Sequence, residues 1–239
     1  MPVAKLRPIS SHVAAVDLHA RFQVAVFLVR HERGLLAIDA GFPGWAYAVL
    51  TAAQSLPEPN QITHVVLTHA HSDHIGGAAV LAQETGAEVL CSGKERPYIE
   101  DGRSLAKAAC SLGAKLSLTL NHWTQQRKVP PVKITGHLAE GDEIGGLSVV
   151  ELPGHTPGQI ALVHGRDRLV LCADALFNVR GALGYDPTPG VTADLLAAEA
   201  SMRRLADIGL DDVAPSHGPA LLGDARERIA AFLERHGSS

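Results

Sequence analysis

With 239 residues, 46% of them apolar and 19% charged, the chain can build a substantial core and is too apolar for intrinsic disorder. A formal charge of −4 supplies none of the clustered basic surface that a nucleic-acid backbone requires. Cys91, Cys110 and Cys172 are scattered, odd in number and without a CxxC pair, which excludes a disulfide scaffold and suits a reducing compartment.

The N-terminus lacks a charged-then-apolar leader with a cleavage site. The apolar run 22–29 is too short to span a bilayer. The expectation is a cytoplasmic protein of one domain, residues 1–239, with no membrane and no nucleic-acid partner.

In chain order, residues 22–29 and 35–39 read as strands joined by a turn at 32–34. Residues 45–56 have helical character, ended by Pro57 and Pro59. Residues 62–68 (ITHVVLT) form a short, β-branched, buried-strand pattern. A helix over 75–85, opened by Gly76 and Gly77, and a strand over 87–91 follow.

Residues 91–133 carry eight Lys/Arg against three Asp/Glu, with a helical pattern over 103–112. That basic stretch is either a solvated helix face or a wall that attracts anionic or amphipathic substrates. Its Leu-rich part, 105–123, is a candidate lid or homodimer face. Strands resume after Pro130 and Pro131, at 147–152 and in a hairpin formed by 160–163 and 169–172. A long amphipathic helix spans 192–208, with Thr192 as its N-cap and Gly209 as its stop. A short strand at 213–214 and a last helix over 224–236 complete the chain. Both halves repeat an apolar strand followed by a polar cluster. That grammar predicts an α/β protein, two sheets face to face with helices outside.

Histidine is over-represented, at 13 residues, and its placement carries the chemical signal. Thr68-His69-Ala70-His71-Ser72-Asp73-His74 follows directly on a buried strand. Imidazoles two apart on extended backbone point the same way and can grip one borderline-soft cation. Asp73 and His74 then turn toward a second position, and Gly76–Gly77 permits the sharp bend. Three further polar residues leave apolar strands in turn: His155 in Gly154-His155-Thr156-Pro157-Gly158, then Asp174, then His217 between Ser216 and Gly218.

This pattern resembles the metallo-β-lactamase superfamily, whose HxHxDH motif is matched by His69, His71, Asp73 and His74. His155, Asp174 and His217 match its later ligands in order and context. The resemblance spans nearly the whole chain and implies a four-layer αβ/βα sandwich. It implies two divalent cations, zinc first, with manganese, iron or cobalt as alternatives. One would take His69, His71 and His155, the other Asp73, His74 and His217, with Asp174 bridging. It further implies hydrolysis by a metal-bridging hydroxide, with Asp73 as the catalytic carboxylate that orients it. Asp39 stands where the family holds a ligand histidine from behind.

The substrate class is less sharply implied. Superfamily β-lactamases lack the bridging Asp that Asp174 supplies. Glyoxalase II matches all seven ligands but carries a C-terminal helical region, whereas only 22 residues follow His217. Quorum-quenching lactonases resemble the chain in size and ligands, yet carry a Tyr where Phe177 stands. Phe177, Tyr185 and His122 are therefore the candidate substrate-binding residues. A small ester or lactone is the first expectation. Thioester or phosphodiester hydrolysis, an iron-dependent sulfur dioxygenase and a non-catalytic metal-binding protein are the alternatives.

Overall fold

The computed structural model describes residues 3–19, 23–104, 128–186 and 191–236. A seven-stranded sheet runs in sequence order: β1 (Val3–Pro8), β2 (Val13–His19), β3 (Gln23–His31), β4 (Gly34–Ile38), β5 (Ile62–Leu67), β6 (Glu88–Ser92) and β7 (Gly136–Leu138). The first four strands pair antiparallel, and β4 to β7 pair parallel. The second sheet contains β8 (Glu143–Ile144), β9 (Leu147–Glu151), β10 (Ile160–His164), β11 (Leu169–Ala173) and β14 (Asp212–Pro215), ordered β14-β11-β10-β9-β8. A two-stranded ribbon, β12 (Phe177–Val179) with β13 (Ala182–Gly184), lies between β11 and β14 in sequence.

Strand alternation divides the apolar side chains into three layers of contact. On β3, Ala25, Phe27 and Val29 face the second sheet and pack with Leu147, Leu162 and Leu171. Val24, Val26 and Leu28 face outward, under helices α1 (Ala46–Gln54) and α3 (Ala78–Thr85). Outside the second sheet, Val170 and Cys172 pack under α5 (Leu195–Asp207) and α6 (Ala225–His236), through Met202, Leu205, Ile229 and Leu233. The order helix, sheet, sheet, helix is the four-layer sandwich that the sequence pattern predicts.

Several local expectations need correction. Strands β1 and β2 have no counterpart in the sequence reading. Lys5, Arg7 and Asp17 interrupt their apolar pattern, and the Arg7 guanidinium meets Asp17 across the pair at 2.8 Å. The helix after β5 begins earlier than the glycines. A single turn, α2 (Ser72–Ile75), forms first, and Gly76–Gly77 breaks it from α3. Neither glycine can carry a side chain there, because a Cβ would strike Pro43 from Gly76 and the Ala40 carbonyl from Gly77. Helix α5 is capped by Asp194, whose Oδ1 accepts from the Ala197 N–H at 3.0 Å, and not by Thr192. The helical pattern over 105–112, the Leu-rich stretch to 123 and His122 lie outside the described residues. No helix among the described residues is long and apolar enough to cross a membrane.

Candidate metal centre

Strands β4, β5, β9, β11 and β14 all exit at the same end of the sandwich, and each exit delivers polar side chains. Asp39 leaves β4 in the left-handed region (φ 66), a conformation that aspartate tolerates better than most residues. From β5, Thr68 leads to His69, and His71 stands in extended conformation ahead of α2, which carries Asp73 and His74. After β9, Gly154 turns the chain at φ 133, where a Cβ would run into the Ala198 backbone, and presents His155. Ala173 at the end of β11 is also left-handed (φ 49), a strain of about 1–2 kcal/mol that turns Asp174 inward. His217 follows β14, its carbonyl accepting from the Asn178 N–H at 3.0 Å.

The seven residues converge, and all are buried. His69, His71, His155 and Asp174 form one group whose donor atoms lie within 4.8 Å of one another; Asp73, His74 and His217 form a second. Asp174 faces both groups. Its Oδ2 lies 3.2 Å from His155 Nε2 and 3.4 Å from His217 Nε2, and its Oδ1 lies 3.5 Å from His74 Nε2. Asp73 Oδ2 stands 3.4 Å from His217 Nε2.

The rear of each ring decides what its front can do. His74 Nδ1 donates to Asp39 Oδ2 at 2.8 Å, and His217 Nδ1 donates to the Gln23 carbonyl at 2.9 Å. The Thr68 hydroxyl donates to Asp39, so it accepts from His69 Nδ1 at 3.0 Å. The Thr192 hydroxyl donates to the Tyr185 carbonyl, so it accepts from His155 Nδ1 at 3.2 Å. Four imidazoles are thus fixed with hydrogen on Nδ1 and with Nε2 facing inward. His71 Nδ1 and His155 Nε2 stand 2.9 Å apart, a separation that requires a proton or a cation between them. His69 Nε2, His74 Nε2 and Asp174 Oδ1 are buried with no hydrogen-bond partner. Orphaned acceptors at that density fit divalent cations.

Charge follows the same division. Burial, with the His155 imidazole behind it, pushes His71 down to about 3. Burial opposes a charge on His217 as well, but Asp174 and Asp73 carry it up to about 10. Asp73 is held at about 2 against burial, by His74 and His217. The cavity holds two carboxylates that demand positive charge at its centre.

Phe177 walls the site. Its ring stacks on His217 at 5.4 Å and meets His155 edge-on at 5.6 Å. Tyr185 is placed behind His155 instead: its carbonyl holds Thr192, its hydroxyl donates to Glu199 at 3.3 Å and its ring meets Phe232.

Sequence reasoning missed Glu95, fully buried at 0% exposure. It stands just before the short helix α4 (Arg96–Glu100), inside the basic stretch. Its Oε2 accepts from the Ala70 N–H at 2.8 Å, and its Oε1 from the Gly158 N–H at 2.7 Å. One carboxylate therefore ties the 69–74 loop to the 154–158 loop. Glu95→Ala strands two buried N–H groups and should cost roughly 2–4 kcal/mol in urea denaturation. Metal affinity of the folded variant should fall about tenfold or more. Unchanged metal affinity would show that the tie does not position the ligands.

The sequence profile of the metallo-beta-lactamase superfamily matches residues 19–217. Protein YobT of Bacillus subtilis (strain 168) is 30% identical over 225 residues, which cover 90% of this chain and 91% of YobT. A hydroxyacylglutathione hydrolase of Aeromonas hydrophila subsp. hydrophila is 30% identical over 216 residues, covering 88% of this chain and 67% of that one. Among solved structures, TTHA1623 in a di-iron-bound form superposes with a TM-score of 0.65 at 26% identity, covering 96% of this chain and 98% of that one. The profile match, the relatives and the sandwich agree: the chain belongs to the metallo-beta-lactamase superfamily.

Proposed function

We propose that this metal-dependent hydrolase cleaves small esters or lactones at a centre of two divalent cations. His69, His71 and His155 would hold one cation, Asp73, His74 and His217 the other, and Asp174 both. The observation that carries this reading is the position of Asp174, buried and within 3.5 Å of imidazoles from both groups. When bound, such a cation pair makes water a nucleophile at neutral pH and draws electron density from an acyl carbonyl.

The protein's own residues supply the rest. Asp73, in the group with His74 and His217, has a carboxylate that can accept a hydrogen bond from an attacking water and orient it. Asp39, Thr68, Thr192 and the Gln23 carbonyl keep four rings from rotating as charge develops. Phe177 excludes water on one side and offers no proton, so carbonyl polarisation falls to the metal side of the site.

Zinc suits an all-imidazole and carboxylate donor set. Iron is the second reading, favoured by the di-iron-bound relative. Thioesters are the second substrate class, favoured by the hydroxyacylglutathione hydrolase among the relatives.

The test removes metal with a chelator and restores zinc, manganese, cobalt or ferrous iron separately. A panel of p-nitrophenyl esters, lactones and thioesters is then assayed. Hydrolysis should vanish and return with metal, and Asp174→Ala should lose metal and about 10³-fold in kcat/KM. Full activity of that variant with two cations retained would overturn the bridging role. Oxygen consumption by the iron form without hydrolysis would overturn the reaction class.

Metal loading is also predicted to release protons. His217 ordinarily titrates near 6.5, and its folded value near 10 leaves it protonated at pH 7.5 without metal. A cation needs the lone pair, so binding expels that proton and apparent affinity rises with pH across this range. Calorimetry in two buffers of different ionisation enthalpy reads the count, expected at one or more per chain. Heats independent of buffer would contradict the assignment of His217 as a ligand.

A further inference from the structure

A cleft of about 540 Å³ opens at the opposite end of the sandwich from the metal centre. Strand β3 runs antiparallel to β4, so Arg30, His31 and the following Arg33 lie where β4 begins rather than where it exits. Strand β10 runs antiparallel to β11 and places His164 and Arg166 at the same end. The cleft is thus walled by turns from both sheets, with His12 from the β1–β2 connection alongside.

The charges of this cleft are unbalanced. Several arginines elsewhere are paired, as Arg168 is with Asp211 and Arg204 with Glu140, and those without an ion pair, such as Arg180 and Arg226, do not line this cleft. Among the described residues, no carboxylate stands within ion-pair distance of Arg30, Arg33 or Arg166. Arg30 reaches only the Pro59 carbonyl, at 3.2 Å. Glu32 is the one carboxylate that lines the cleft and Asp167 stands behind it against His12, so three guanidiniums outnumber the nearby carboxylates in a chain of net charge −4.

A cation is the competing occupant, since donor atoms of His12, His164 and Asp167 lie within 4.8 Å of one another. Those donors are already engaged. His12 Nδ1 bonds Asp167 Oδ1 at 2.7 Å, and Asp167 Oδ2 accepts from the Ser10 hydroxyl and the His12 N–H. His164 Nδ1 accepts from the Asp167 N–H at 3.1 Å. A metal would have to break that network beside three positive charges. The metal centre differs on both counts, with orphaned acceptors and an excess of carboxylate.

We propose that this cleft binds a small phosphate-bearing anion at a site separate from the metal centre. Guanidinium forks donate paired N–H groups that match phosphoryl oxygens. Three guanidiniums that can share the oxygens of one ligand suit a phosphate monoester of charge near −2 better than a single carboxylate. The volume lies within the range of small-molecule sites. The open, turn-walled shape concentrates the field where the ligand enters.

The test titrates zinc-loaded, ¹⁵N-labelled protein with inorganic phosphate and follows amide shifts by NMR. Saturable shifts are expected at Gly145 and Gly146, which line the cleft, and at Arg166. The double variant Arg33→Ala/Arg166→Ala removes two exposed side chains, and its dispersed spectrum reports that it folds. Its apparent Kd for phosphate at these amides should weaken at least tenfold. Absence of saturable shifts there, shifts confined to residues 69–74, or a Kd changed less than tenfold would each overturn the proposal.

Discussion

Asp39 holds its backbone in the left-handed region and spends its carboxylate on the metal centre. Oδ1 accepts from the Thr68 N–H at 2.8 Å, Oδ2 accepts from His74 Nδ1 at 2.8 Å, and the Thr68 hydroxyl bridges to His69. A carboxylate at 1% exposure is costly to bury unless its oxygens are hydrogen-bonded. Here the donors that stabilise it are the same groups that fix two rings, one in each donor group. Without that anchor, His69 and His74 could turn Nδ1 inward and the Nε2 lone pairs would no longer converge. Thr192 and the Gln23 carbonyl repeat the device behind His155 and His217.

The sandwich exists, in this sense, to bring five strand exits to one edge. Its apolar layers fix the strands, and short loops with strained or glycine backbones turn the donors inward. Ala173 takes a strained left-handed conformation next to Asp174, and Gly154 a positive φ that glycine adopts freely next to His155. Glu95 adds the cross-tie between two ligand loops that share no strand pairing. The ring of Phe177, stacked on His217, ties the β12–β13 ribbon to the same edge.

Much of the centre was legible in the sequence because ligand chemistry is local. His69, His71, Asp73 and His74 sit within six residues, and no packing role explains four such side chains after a buried strand. The layer order was legible from the apolar strand and polar exit that recur in both halves. What escaped was decided by tertiary contact. Thr192 reads as a helix cap, but His155 and the Tyr185 carbonyl claim its hydroxyl, and Asp194 takes the cap. Glu95 lies among Lys94, Arg96 and other charges, where a carboxylate reads as solvated surface. Nothing in its neighbours signals that two loops fold over it. Strands β1 and β2 were hidden because their polar residues pair with each other across the strands.

The two ends of the sandwich have opposite electrostatic character: buried carboxylates among inward-facing imidazoles at one, guanidiniums without ion pairs at the other. Anomalous diffraction from crystals of the zinc-loaded protein reads the first end at the level of single atoms. Two anomalous peaks per chain are expected, one against Nε2 of His69 and His155, the other against Nε2 of His74 and His217, with Asp174 in contact with both. A single peak, or two peaks with Asp174 touching neither, would contradict that arrangement.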